Sequence, residues 1–171
     1  VPASVGIFAL SEQIISVFFE RGEFNEKSTL FTSKALKFYA LGLIAFILMK
    51  IYTPIFFAYE HAKPILYITT INLVINTILS IVLFVNIGFI GIPIATTVSA
   101  WISVFLMNYY LIKHNYYQIR KKVVLPVTII IISSFIMYLN LVLIKNFSVK
   151  FFNLLQEYEI IFLLFSVLSS I

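Results

Sequence analysis

The sequence predicts an all-α fold, a polytopic membrane helix bundle. Of its 171 residues, 61% are hydrophobic and 11% charged, whereas soluble domains lie near half apolar and a quarter charged. Mean hydropathy is +1.05 over the whole chain, so the apolar bias is not the work of one segment. Five or six long apolar runs follow one another, parted by short polar pieces, which is the pattern of helices sized to a hydrocarbon core.

The first span is expected over residues 1–19, with Glu12 and Gln13 well inside it. A charged loop follows, in which Gly22 signals a turn and Asn25 or Ser28 is placed to cap the next helix. Span two begins near Thr29 or Phe38, according to whether Lys34 and Lys37 are interfacial, and runs to Tyr59. Pro54 is expected to kink or end it, because proline lacks the N–H of a helix hydrogen bond. Span three, residues 65–85, carries no charge, and Thr69, Asn72, Asn76 and Ser80 recur at helical spacing along one face. The stretch Asn86 to Pro93, with Gly88 and Gly91, reads as a tight turn into span four, residues 89–112, which carries Thr96, Ser99 and Ser103. Span five, residues 123–144, is nearly featureless apart from Ser133, Ser134 and Asn140. A sixth span starts near Ile160, and its 12 residues would give about 18 Å of helix against a core of roughly 30 Å. The sequence therefore reads as an internal or truncated piece of a longer transporter-like chain.

Charge and composition exclude several classes. The net charge is +5, but the basic residues cluster between apolar runs, where they set topology and meet lipid headgroups. Nucleic-acid binding needs a basic face on a soluble fold, so no nucleic-acid partner is expected. With no cysteine and two histidines, His61 and His114, both in connecting segments, no metal site or cofactor is expected. Nor does any nucleophile–base set, phosphate-cradling glycine loop or HExxH motif occur. No enzyme is expected.

Loop charges give an orientation. Lys63, Lys113, Arg120, Lys121 and Lys122 follow spans two and four, against Glu60 alone, whereas the loops after spans one and five are balanced. Positive-inside then puts Tyr59–Pro64 and Lys113–Lys122 in the cytoplasm and the Arg21–Phe24 loop outside.

Five residues stand out as candidate lining of a polar cavity: Lys50, Glu12, Lys37, Asn72 and Asn76. A lysine at mid-bilayer costs about 2.5–3.5 kcal/mol on insertion scales, so a retained one faces protein or water. Lys50 would draw an anionic group such as a phosphate into the cavity, or else snorkel to headgroups from the inner end of its helix. Glu12 would pair with a lysine or couple an ion, or be held by neighbouring hydroxyls. Lys34 and Lys37 would gather phosphate at the outer mouth, or form a solvated face. Asn72 and Asn76 would contact sugar hydroxyls, or tie helices together at about 0.6–2 kcal/mol each.

Several motifs resemble one family. Glu20-Arg-Gly-Glu-Phe24 is similar to the RGxF loop of the bacterial lipid II flippases (MurJ/MviN). So are Ala35-Leu-Lys-Phe-Tyr-Ala-Leu-Gly-Leu43, Ile47-Leu-Met-Lys-Ile51, Pro54-Ile-Phe-Phe-Ala-Tyr59 and Lys63-Pro64, with Gly88, Gly91 and Pro93 at the following turn. The resemblance covers residues 1–117 and implies the MOP exporter superfamily: two six-helix lobes around a central cavity with alternating access. Residues 1–117 would then be the last four helices of the second lobe. Residues 118–171 would be two additional transmembrane helices, the last cut short, a pair that lines a groove for a polyprenyl tail. By the same resemblance the substrate is the lipid-linked peptidoglycan precursor, the site of action the bacterial inner membrane, and the partners membrane lipids and the remaining N-terminal lobe of the same chain. Tyr59-Glu60-His61-Ala62 departs from the family, which often carries Arg and Asp there. Two rival functions stand beside this one: another exporter of the superfamily, for a polysaccharide-linked lipid or a drug, and a structural membrane subunit.

Overall fold

The computed structural model describes residues 1–21, 24–60, 62–114, 116 and 121–152. The described residues form helices α1 (Pro2–Phe19), α2 (Glu26–Ala58), α3 (Ala62–Ile87), α4 (Gly91–Lys113) and α5 (Lys121–Phe152), with a 3-10 turn at Gly88–Ile90 and no strand. The expected sixth span from Ile160 lies outside the described residues, as do Gly22, Glu23, His61 and residues 117–120 of the basic loop.

Each boundary has a local cause. Pro2 opens α1, where its missing N–H would have no helix partner in any case. Asn25 caps α2: its Oδ1 accepts from the Ser28 backbone N–H at 3.2 Å and the Ser28 hydroxyl at 3.3 Å. With that cap, α2 starts at Glu26, a little before the earlier of its two expected starts, and Lys34 and Lys37 lie within the helix. Pro54 does not end it; the helix runs on to Ala58. What Pro54 does is withhold the N–H that would bond the Lys50 carbonyl four residues back. Beyond Ala58, Glu60 adopts a left-handed φ of 57°, and its N–H bonds the Phe57 carbonyl at 3.0 Å. Gly88, with φ at 76°, makes the turn from α3 to α4. Gly91 then lets α4 close on α3, since a Cβ there would sit 2.5 Å from the Leu83 carbonyl carbon.

The chain divides into two compact units. The first holds Val1–Lys37 and the chain from Lys122 onward, hence α1, the opening of α2, and α5. Within it α1 buries Ser4, Leu10, Ser11 and Ile15, and α5 buries Ser134 and Leu141. Met137 Cε of α5 comes within 3.5 Å of where a Cβ on Gly6 would stand, so α1 and α5 pack at that glycine.

The second unit, Phe38–Lys121, holds the rest of α2 with α3 and α4. Phe56, Ile65, Ile68, Met107 and Leu111 form one buried cluster, and Ala45, Ala100 and Val104 another. Outward from both units face large apolar side chains, among them Leu73, Val85, Phe105, Ile130 and Phe135. Among the described residues, four helical stretches are long and apolar enough to cross a membrane: α1, α2, the α3–turn–α4 run Lys63–Lys113, and Leu125–Ile144 in α5. An apolar exterior suits acyl chains, which solvate leucine as well as a protein core does.

Candidate functional site

In the first unit a cavity of about 430 Å³ opens between α1 and the start of α2, lined by Glu12, Gln13, Ser16, Glu20, Glu26, Thr29 and Leu30. Glu12 and Ser16, four residues apart, share one side of α1, and Glu20 follows at its C-terminal cap. Three carboxylates make this cavity acidic, and Lys37, half-buried, is not among its lining residues. Thr29 is buried and gives its hydroxyl hydrogen to the Asn25 carbonyl at 3.4 Å. The Gln13 Oε1 is shut off from solvent and, among the described residues, accepts no hydrogen bond.

The second unit holds the other three candidates. Lys50 is exposed, on the side of α2 that also shows Ile47, Ile51 and Pro54, and no described residue offers it a polar partner. It lies eight residues before Ala58, about 12 Å in from the helix end. Asn76 stands at the α3–α4 seam: its Oδ1 accepts from Ser80 at 3.3 Å and, across to α4, from Thr96 at 3.5 Å. The Asn72 Oδ1, one turn earlier, is buried with no partner among the described residues. Thr69, Thr70 and Thr77 are exposed, and each returns its hydroxyl to a carbonyl three or four residues back, at 2.8–3.0 Å. Such back-bonding leaves no unmet hydroxyl donor on an exposed side of an apolar helix. The expected polar face of α3 is thus divided: Asn72, Asn76 and Ser80 are half-buried, while Thr69 turns outward.

The structure brings together Asn72 and Asn76 on one helix, and sets Glu12 in a cavity of its own. Three residues that sequence reasoning passed over lie on the α2–α4 seam, two to three turns before Lys50 along α2. Thr97 donates its hydroxyl hydrogen to the Phe38 carbonyl at 2.8 Å. Trp101 donates from Nε1 to the Leu41 carbonyl at 3.4 Å. Gly42 leaves room for that approach, since a Cβ there would stand 2.9 Å from Thr97 Oγ1. Their signal was present: a glycine and an alanine, Ala45, at helical spacing inside an apolar helix mark a close helix neighbour.

Long apolar helices with hydroxyl and amide ties between them define a polytopic helical membrane protein. Within that class the chain belongs to the lipid II flippase MurJ family, whose model matches residues 1–160. A relative in Rickettsia prowazekii (strain Madrid E), named "Probable lipid II flippase MurJ", is 36% identical over 160 residues, which is 94% of this chain and 31% of the relative. One in Thermosipho africanus (strain TCF52B), "Lipid II flippase MurJ", is 36% identical over 104 residues, covering 61% of this chain and 22% of the relative. A solved structure, "Lipid II flippase MurJ, inward closed conformation", superposes with a TM-score of 0.62 at 28% identity, over 99% of this chain and 34% of that one. The chain thus spans about a third of the length of the Rickettsia relative. It is a multi-pass protein of the bacterial cytoplasmic membrane.

Proposed function

We propose that this chain is part of a flippase that carries lipid II, the lipid-linked peptidoglycan precursor, across the cytoplasmic membrane by alternating access. The observation that carries the reading is the family match over residues 1–160, together with a fold that follows a lipid II flippase at TM-score 0.62. It also favours this function over a drug or polysaccharide exporter and over a structural subunit. In this reading residues 1–117 supply the last four helices of the second lobe, residues 118–171 two additional helices, and the N-terminal lobe of the same longer chain completes the cavity. The protein is a transporter with lipid partners, not an enzyme, and works without cofactor or nucleic acid.

The physics of the task suits the parts. A pyrophosphate and sugars must pass a hydrocarbon core while the polyprenyl tail stays in lipid. Lys50 is the cation for the phosphates, supported by its exposure on an apolar helix side and by the roughly 2.5–3.5 kcal/mol that burying it in lipid would cost. Asn72 and Asn76 offer amides toward sugar hydroxyls, Glu12 pairs with a lysine or couples an ion, and Lys37 gathers phosphate at the outer mouth. Depletion of the protein in cells is the test. Lipid II accumulates if the reading holds, and a normal lipid II level rejects it.

A further inference from the structure

We propose that Thr97 and Trp101, seated against Gly42, are positioning residues that fix which side of α2 presents Lys50. The inference rests on the reading of Lys50 as the transport cation. Along α2, residues Phe38, Gly42, Ala45, Met49, Tyr52 and Phe56 meet α4: Ala45, Met49 and Tyr52 pack with Ala100 and Val104, and Phe56 with Met107 and Leu111. At about 100° per residue, Lys50 lies roughly a third of a turn away from that face, on the exposed side with Ile47 and Pro54. A small rotation of α2 about its axis would therefore carry Lys50 toward the α4 seam or away from it.

Apolar packing resists such a rotation least at the middle of the seam. The middle of the seam is alanine on both helices, Ala45 and Ala100, and small side chains form a smooth surface that another rotational setting would also fit. Hydrogen bonds to the backbone are different in kind. The Thr97 hydroxyl reaches the Phe38 carbonyl at 2.8 Å, and the Trp101 indole reaches the Leu41 carbonyl at 3.4 Å. Those carbonyls have fixed azimuths on the helix, so both bonds form together in one setting and are lost in others. Gly42 admits the contact because it brings no Cβ against Thr97. Downstream, Pro54 removes the helix bond to the Lys50 carbonyl, so the helix has one bond fewer to hold its setting at Lys50.

The test labels Lys50→Cys with a membrane-impermeant thiol reagent in the full-length protein in everted and intact vesicles. Thr97→Val with Trp101→Phe should change the labelling rate by about threefold or more, the weight of an interhelical hydrogen bond in a bilayer. Thr97→Ser, which keeps the donor, should restore it. Labelling unchanged in the double variant overturns the positioning role, as does a change that Thr97→Ser fails to rescue. Trp101→Phe alone keeps the test decisive if the double variant does not accumulate. Lipid II flipping by Lys50→Cys is scored separately: intact flipping removes Lys50 from transport, whereas the labelling rates still decide whether the seam orients α2.

Discussion

Asn72 carries a buried amide oxygen with no described partner, in a helix whose threonines satisfy themselves on their own backbone. An unmet buried acceptor costs about 1–3 kcal/mol. Asn72→Leu should therefore raise thermal stability by about 1 kcal/mol in detergent, while lowering flipping if the amide serves transport. Reduced stability would show that the oxygen is bonded in the whole protein. Glu60 poses a smaller problem of the same kind, being a side chain held at φ 57°, where glycine is at ease and other residues lose about 1–2 kcal/mol. Glu60→Gly should stabilise by about 1 kcal/mol in the same melting experiment. Neither site was legible in the sequence. Asn72 was visible as an intramembrane amide, but its lack of a partner depends on three-dimensional surroundings, and nothing in Tyr59-Glu60 announces a left-handed backbone.

The α3–turn–α4 hairpin depends on Gly91, which brings α4 against the Leu83 backbone. Gly91→Ala would force a methyl to within 2.5 Å of a carbonyl carbon that cannot move aside. We expect a loss of about 1–3 kcal/mol, read as a lower melting temperature and lower membrane abundance. Gly88→Ala, with open space around it but φ at 76°, should cost only about 1 kcal/mol. Here sequence reasoning did well: glycines at 88 and 91 with Pro93 marked the turn, and hydropathy placed α1, α3 and α4 to within a few residues. It was weaker on α2, because charge at Lys34 and Lys37 argued for a later start and the Asn25 cap decided for an earlier one. The acidic cavity was legible only in part. Glu12 stood out as an intramembrane charge, but Glu20 and Glu26 read as loop residues, and only the fold brings them to the same hollow.

At the scale of the molecule, the described helices cover two compact units whose apolar exteriors suit lipid, and they span about a third of the Rickettsia relative's length. If the remainder of a longer chain completes the transport cavity, these residues expressed alone should insert yet fail to rescue a strain depleted of its flippase. Growth restored by the fragment would contradict that. Family and architecture were readable from ordered motifs between Arg21 and Pro93, since they need only local composition. Which polar groups meet across helices was not, because azimuth is set by packing partners far apart in sequence, as with Thr97 and Phe38. The 33 residues of α2 make a rod of roughly 50 Å, against a hydrocarbon slab near 30 Å. So long a rod must lean or protrude, and its inclination will follow the thickness of the host bilayer. Reconstitution of the whole transporter in phospholipids of graded acyl-chain length should accordingly give a flipping rate with an optimum, and a flat profile would mean that α2 stands clear of the mismatch.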